Sequence, residues 1–175
     1  MATPEEVKEY MPKIRRIKAF RYLDEMELRS LLAIAEVVAY DKGAKIVTQG
    51  KTGNHFYAVI TGSAKVSISE LQEGEIVIST LTEGDTFGEA AMFLKEERTA
   101  SVTAEQDSIM MSIARKDLMN FFKSNSQAGV KILLVIVFSL LTKLSNANQE
   151  IAFEKQGDLD FDYVDTLVQD FMEEI

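Results

Sequence analysis

The chain contains no cysteine, no tryptophan and a single histidine, His55. Without cysteine it can form neither a disulfide scaffold nor a thiolate metal site. One histidine beside Asn54 cannot supply the cluster of histidine and carboxylate ligands that a metalloenzyme of the β-barrel type requires, and no nucleophile–base pair stands out in the sequence. The sequence therefore predicts a protein that is not an enzyme and that needs no cofactor or metal.

Positive charge is also scarce, since 19 lysines and arginines stand against 28 acidic residues for a net charge of −9. This balance predicts no DNA binding, because nonspecific attraction to a phosphate backbone requires the opposite sign. The first nine residues are polar and acidic, which predicts no signal peptide. The longest apolar run, Val130 to Leu141, is interrupted by Lys131 and Ser139. At twelve residues it is predicted to be too short to span a bilayer, so we expect a cytoplasmic protein without membrane insertion.

The 175 residues suffice for one domain with a substantial core. Residues 1–35 show helical spacing and a capping-box signature at Asp24–Glu27, which predicts two short N-terminal helices. Helical spacing returns at 115–150, where a hinge and a long helix are expected, and in the acidic tail 151–175. Between them, short segments rich in Val, Ile and Thr alternate with glycine-containing turns, as in a β-sandwich or barrel. These predicted strands are 36–40, 44–48, 56–60, 64–69, 75–81, 99–104 and 108–114.

The stretch from Phe87 to Ser101 has the chemistry of an anion site. Gly88 permits a backbone conformation in which successive N–H groups point the same way, and a helix beginning after it would leave its first amides unpaired. Arg98 can form forked hydrogen bonds with phosphate oxygens. Glu89 should repel an anion, unless the ligand carries hydroxyl groups near its phosphate.

The order of these residues is specific: Phe87-Gly88-Glu89, a short predicted helix, then Arg98-Thr99-Ala100, with Arg98 nine positions after Glu89. This string resembles the phosphate-binding cassette of the cyclic nucleotide-binding domain family, which includes the sensor domains of cAMP receptor proteins and of protein kinase regulatory subunits. The preceding glycines also follow the order of the family's β-roll; they are Gly50, Gly53, Gly62 and Gly84, the last followed by Asp85.

The resemblance implies an α+β fold. Its centre is an antiparallel, jelly-roll-like β-roll of about eight strands over residues 36–114. N-terminal helices, a short cassette helix and C-terminal helices complete the sensor domain. Many bacterial transcription factors continue from this sensor into a winged helix-turn-helix with a basic recognition helix. Here the acidic segment 158–175 stands in that place, which predicts a stand-alone sensor.

The resemblance also implies roles for individual residues. Arg98 would pair with the exocyclic oxygens of a cyclic phosphate, and Glu89 would accept a hydrogen bond from the ribose 2′-hydroxyl. The backbones of the small residues around them would approach the phosphate closely; these are Gly88, Ala90, Ala91, Thr99 and Ala100. Ordinary helix propensity explains the two cassette alanines equally well.

Five further residues are candidates for the base pocket. Val66, Ile78 and Leu81 lie on predicted strands and could pack on ribose and base, although core packing explains them as well. Asn146 and Asn148 lie on the long helix, where polar groups would reach the base; exposed positions at a helix end are an equally good explanation. Thr99 does not distinguish the two purines. The expected ligand is cAMP, with cGMP as the alternative.

The helix around Val130–Leu141 is apolar nearly all round, so more than one of its faces must be covered. The matching helix of a second subunit is the simplest partner, which predicts a homodimer; burial within a monomer is the alternative. The expected function is a regulatory module in which ligand binding shifts this helix and an unidentified protein effector receives the signal. A ligand-free dimerisation module and a nucleotide-sequestering protein are the alternatives.

Overall fold

The computed structural model describes residues 4–70, 74–93 and 97–151, with helices at both ends of a β-roll. The N-terminal part comprises α1 (Pro4–Ile14), a 3₁₀ turn (Lys18–Phe20) and α2 (Glu25–Leu32). The strands are β1 (Glu36–Tyr40), β2 (Lys45–Val47), β3 (His55–Thr61), β4 (Ala64–Glu70), β5 (Gly74–Leu81), β6 (Thr86–Phe87), β7 (Ser101–Ala104) and β8 (Ser108–Ala114). The remaining helices are α3 (Ala90–Phe93), α4 (Arg115–Ser124) and α5 (Ser126–Ile151).

The described strands form two antiparallel four-stranded sheets, ordered β1-β8-β3-β6 and β2-β7-β4-β5. This confirms the predicted α+β fold with its antiparallel roll and flanking helices. The two-residue strand β6, which pairs with Tyr57 and Ala58, was not predicted because it is too short for an alternating pattern. The strand predicted from residue 99 begins only at Ser101, because the backbone of Arg98 pairs with the loop at Gly50 and Lys51 instead.

The capping box predicted at the start of α2 is confirmed. The Asp24 carboxylate accepts a hydrogen bond from the Glu27 N–H, and the Glu27 carboxylate accepts one from the Asp24 N–H, each at 2.8 Å. Such a reciprocal cap satisfies two amides that the first helical turn leaves unpaired. Glu27 also accepts a hydrogen bond from Lys131 Nζ at 2.8 Å, so that α2 is joined to α5.

Buried apolar side chains form two cores, one on each face of the sheet that contains β3. Alternate residues of β3 point to opposite faces, as expected for a strand. Phe56 and Ile60 pack in the outer core against the helices, while Val59 lies in the inner core between the two sheets. Phe56 meets Phe20 of the 3₁₀ turn edge to face, with ring centroids 6.4 Å apart. The helices are therefore anchored to the sheet that also carries β6, the strand leading into the cassette.

The turn before β6 is fixed to the N-terminal part of the chain. The Asp85 carboxylate accepts hydrogen bonds from Lys18 Nζ at 2.6 Å and from the Thr82 N–H at 2.8 Å. Burial alone would raise the pKa of Asp85, but the hydrogen bonds from Lys18 and Thr82 outweigh it and hold this pKa below its ordinary value. The Lys18 N–H also donates to the Gly84 carbonyl at 3.0 Å. The Gly84-Asp85 pair thus determines where β6 and the cassette begin.

Helix α5 has one buried and one exposed apolar face. Ala128, Ile132 and Ile136 are buried in the outer core, whereas the opposite side exposes Val130, Val137, Leu140, Leu141 and Leu144. The apolar stretch is longer than the twelve residues predicted from the sequence. Residues 126–145 of the helix form a 20-residue stretch with a mean hydropathy of 1.9. By length and composition alone that stretch suffices to cross a membrane, although its inner face packs on the roll.

Candidate functional site

A cavity of about 300 Å³ opens at the end of the roll, bounded by strands, by the cassette and by α5. Its volume is at the lower end of the ~300–1,000 Å³ typical of small-molecule sites. The walls are mainly apolar, and four of the lining residues are charged. The lining residues are Val47, Val66, Ile78, Ser79, Leu81, Phe87, Gly88, Glu89, Ala90, Glu97, Arg98, Thr99, Ala100, Val102 and Lys143.

Arg98 is fixed in place through both its backbone and its side chain. Its N–H donates to the Lys51 carbonyl and its carbonyl accepts from the Gly50 N–H, both at 2.9 Å. Its Nη2 donates to the His55 carbonyl at 2.9 Å. Burial lowers the pKa of Arg98, while Tyr57 and Glu89 oppose that shift, so the guanidinium stays charged. With five N–H donors in total, it retains others for a ligand in the cavity.

Two glycines make room for this guanidinium. A Cβ on Gly53 would overlap Nε of Arg98. At Gly88 the backbone has a φ of +83°, and a Cβ there would lie 2.8 Å from the His55 carbonyl oxygen and 3.0 Å from Nη1 of Arg98. Glycine is thus required at position 88 both for its left-handed conformation and for the close approach of the arginine.

Glu89 is a buried carboxylate on the cavity wall, with only 6% of its surface exposed. It lies between β6 and α3, so the two elements fix its backbone from either side. Its Oε1 accepts hydrogen bonds from Lys143 Nζ at 3.1 Å and from Thr86 Oγ1 at 3.4 Å. A buried charge normally requires such partners, because its loss of hydration must be compensated.

Lys143 is a site residue that the sequence interpretation missed. It reaches the cavity from α5, 54 positions after Glu89, and its side chain is 52% exposed. A signal for it existed: Lys131 and Lys143 are the only charged residues between Ser126 and Gln149. A lysine on an otherwise apolar helix that was expected to close over the site is a candidate contact. Val47, Ser79, Glu97 and Val102 also line the cavity without having been predicted.

The structure brings most of the predicted site residues together. Those that line the cavity are Val66, Ile78, Leu81, Gly88, Glu89, Ala90, Arg98, Thr99 and Ala100. Leu81 is also part of the inner core and Val66 packs against it, whereas Ile78 is 54% exposed at the cavity rim. The side chains of Ala91, Asn146 and Asn148 lie outside what the structure describes, so their predicted contacts stay predictions.

This arrangement suits a ligand that combines an anionic group with hydroxyl groups and an apolar or aromatic part. Arg98 offers forked donors to the anion, and Glu89 offers an acceptor to a hydroxyl. Apolar side chains of both sheets can cover a ring. Within residues 4–70, 74–93 and 97–151, no group of three or more acidic or histidine side chains is placed to hold a metal ion.

Comparison with known proteins decides the family. The model of the family described as "Cyclic nucleotide-binding domain" matches residues 37–125, a segment that contains most of the roll, the whole cassette and α4. The chain belongs to the cyclic nucleotide-binding domain family. The resemblance inferred from the cassette and the glycine order is thereby confirmed. The cavity of this cyclic nucleotide-binding domain is lined by residues from both ends of the cassette, Glu89 and Arg98.

Two relatives show the range of proteins that contain similar domains. The chain is 30% identical over 113 residues to cGMP-dependent protein kinase 2 of Mus musculus, covering 64% of this chain and 15% of the kinase. It is 31% identical over 96 residues to the cAMP-dependent protein kinase regulatory subunit of Schizosaccharomyces pombe, covering 55% of this chain and 22% of that protein. The matched segment therefore spans less than a quarter of the length of either relative.

Solved structures agree on the fold. A cyclic nucleotide-binding domain from Methylobacillus flagellatus KT superposes with a TM-score of 0.74 at 21% identity, covering 89% of this chain and 88% of that one. The catabolite activator protein of Thermus thermophilus superposes with a TM-score of 0.69 at 24% identity, covering 78% of this chain and 62% of that one. At these identities the likeness concerns the fold alone.

Proposed function

We propose that this chain is a non-enzymatic sensor that binds cAMP, with cGMP as the alternative ligand, in the cavity between the cassette and α5. The observation that carries the proposal is that Glu89 and Arg98 line the same cavity although they stand at opposite ends of the cassette. Arg98 binds the cyclic phosphate through the donors not used by His55. Glu89 accepts the ribose 2′-hydroxyl.

The choice between the two purines stays open to experiment. The relatives named above include a cGMP-dependent kinase and a cAMP-dependent regulatory subunit at nearly equal identity. Ile78, exposed at the cavity rim, offers an apolar surface to either base. Thr99, which lines the cavity, carries a hydroxyl that can bond to polar groups of either purine.

Calorimetric titration of the chain with cAMP, cGMP and 2′-deoxy-cAMP tests the proposal. We expect saturable binding of at least one ribonucleotide. The 2′-deoxy analogue should bind about tenfold or more weakly, because a hydrogen bond to a charged group contributes ~1.5–3 kcal/mol. Neither heat nor a thermal shift at millimolar cAMP and cGMP would contradict the proposal and support a ligand-free dimerisation module. Tight binding with no change in helix position or assembly would support sequestration.

The proposed signal is a shift of α5 that an unidentified protein effector detects. The Glu89–Lys143 ion pair supports this step, because it connects the cassette directly to α5. Phe93 at the end of the cassette helix is 49% exposed, so packing through Phe93 is a weaker route than the ion pair. Such a switch requires two helix positions with different ligand affinity. Identical α5 positions in paired structures with and without nucleotide would contradict it.

We further propose that the exposed face of α5 forms a homodimer. Val130, Val137 and Leu144 are spaced seven residues apart, and Leu140 and Leu141 lie on the same side. A heptad of this kind is the pattern by which two helices pack knobs into holes. The cytoplasmic location of the protein also stays a prediction.

The double substitution Val137→Asp and Leu144→Asp is expected to convert the dimer to a monomer, because it places charges in an apolar helix seam. Light scattering after size-exclusion chromatography measures the mass, which should fall from twice that of the chain to that of a single copy. Met26→Asp, an exposed methionine on α2, is the matched control and should leave the dimer intact. A wild-type chain that elutes as a monomer at all concentrations would contradict the dimer.

A further inference from the structure

We propose that Lys143 is a binding-site residue that neutralises Glu89, so that the cavity can accept an anionic ligand. The proposal rests on the proposed function, because it concerns the same cavity. Glu89 is the buried carboxylate whose charge should repel a cyclic phosphate. Lys143 Nζ lies 3.1 Å from its Oε1 and is a side chain on the lining of the same cavity.

The charges that face the cavity show why this lysine matters. Among the residues that the structure describes, four charged ones line it: Arg98 and Lys143 are positive, and Glu89 and Glu97 are negative. With Lys143 they cancel, and without it the cavity would carry one net negative charge toward a ligand that is itself negative. Glu97 is exposed, so water screens it, whereas Glu89 is buried between apolar walls where charges interact more strongly. Lys143 therefore compensates the carboxylate that matters most to an anion.

The contact geometry lets Lys143 and the ligand use Glu89 together. Both Lys143 and Thr86 donate to Oε1. A carboxylate has two oxygens with about four acceptor sites. The ribose 2′-hydroxyl would then donate to Oε2 of Glu89 while Lys143 donates to Oε1. Because Lys143 belongs to α5, the same contact places this helix against a ligand-bound cassette. Lys143 thus positions Glu89 and compensates its charge.

The test is a double-mutant cycle read out by calorimetric titration with cAMP and cGMP. Lys143→Met should weaken binding on the order of tenfold, since the ion pair is half exposed and worth less than a fully buried one. Lys143→Arg should restore most of the affinity. In the Glu89→Gln background, the same Lys143→Met step should change affinity less than about twofold, because a neutral amide needs no compensation.

Lys131→Met is the matched control. It removes an ion pair between α5 and the rest of the chain, at Glu27, away from the cavity. We expect it to lower the melting temperature at least as much as Lys143→Met, because Lys131 is the more buried of the two lysines. Nucleotide affinity should stay unchanged, because the Lys131 pair does not line the cavity. A merely structural role of Lys143 would make the two variants alike.

The possible outcomes separate this inference from the proposed function. If wild type binds nucleotide and Lys143→Met has no effect, or costs the same factor in the Glu89→Gln background, only the role of Lys143 is overturned. Equal loss of affinity in Lys131→Met would overturn it as well. If wild type binds neither nucleotide, the proposed function fails and the role of Lys143 fails with it.

Discussion

Arg98→Ala is expected to weaken cyclic nucleotide binding by about 30-fold or more. Removing one partner of a desolvated charge pair costs ~2–5 kcal/mol, and each ~1.4 kcal/mol is a factor of ten. The loss should be large here because the guanidinium is held ready by the His55 carbonyl, so little order has to be gained on binding. Titration calorimetry of the folded variant measures the change.

Two companion variants make this result specific. Arg98→Lys keeps the charge but loses the forked donor geometry, so its affinity should lie between wild type and Arg98→Ala. Arg29→Ala removes an exposed arginine that pairs with Glu25 on α2 and should leave affinity unchanged. Full affinity in a folded Arg98→Ala variant would place the phosphate elsewhere and contradict the assigned site.

Gly88→Ala is expected to lower both stability and affinity. An alanine at a φ of +83° costs ~1–2 kcal/mol in backbone conformation. Its Cβ would also lie 2.8 Å from the His55 carbonyl oxygen and 3.0 Å from Nη1 of Arg98. The arginine or the strand must therefore move, and the position of the phosphate-binding donors changes. Chemical denaturation measures the first effect and nucleotide titration the second.

Gly43→Ala separates these two causes. Gly43 has nearly the same conformation, with a φ of +86°, but a Cβ there would meet nothing within 4 Å. It should therefore show the conformational cost alone, with unchanged nucleotide affinity. If both alanine variants lose the same stability and neither loses affinity, the contact between position 88 and Arg98 has no functional consequence.

The sequence was most informative where a local pattern coincides with a local structure. The capping box at Asp24 and Glu27 needs only a four-residue segment, and the structure forms it as predicted. All seven predicted segments contain strands, and their glycine turns allowed an antiparallel roll to be expected. The cassette could be recognised because Glu89 and Arg98 stand a fixed distance apart in the chain.

What the sequence did not reveal depends on contacts between distant residues. Lys143 and Glu89 are separated by 54 positions, and only the path of α5 over the roll brings them together. The two-residue strand β6 exists because β3 is beside it, which no pattern of two residues can indicate. The apolar extent of α5 was underestimated because the run was counted only from Val130 to Leu141, whereas the apolar helix stretch covers 126–145 and its two lysines contact acidic partners in the fold.

Those two lysines attach α5 to the rest of the fold at two separate points. Lys131 joins it to Glu27 on α2, and Lys143 joins it to Glu89 on the cassette wall. Twelve residues separate them, about 18 Å along a helix that rises 1.5 Å per residue. Two ion pairs this far apart resist rotation of the helix about its own axis, but the helix can tilt when the contact at Lys143 is displaced. In the proposed switch, displacement of the Lys143 end tilts α5, so the exposed apolar face of the helix would change its angle toward a partner helix.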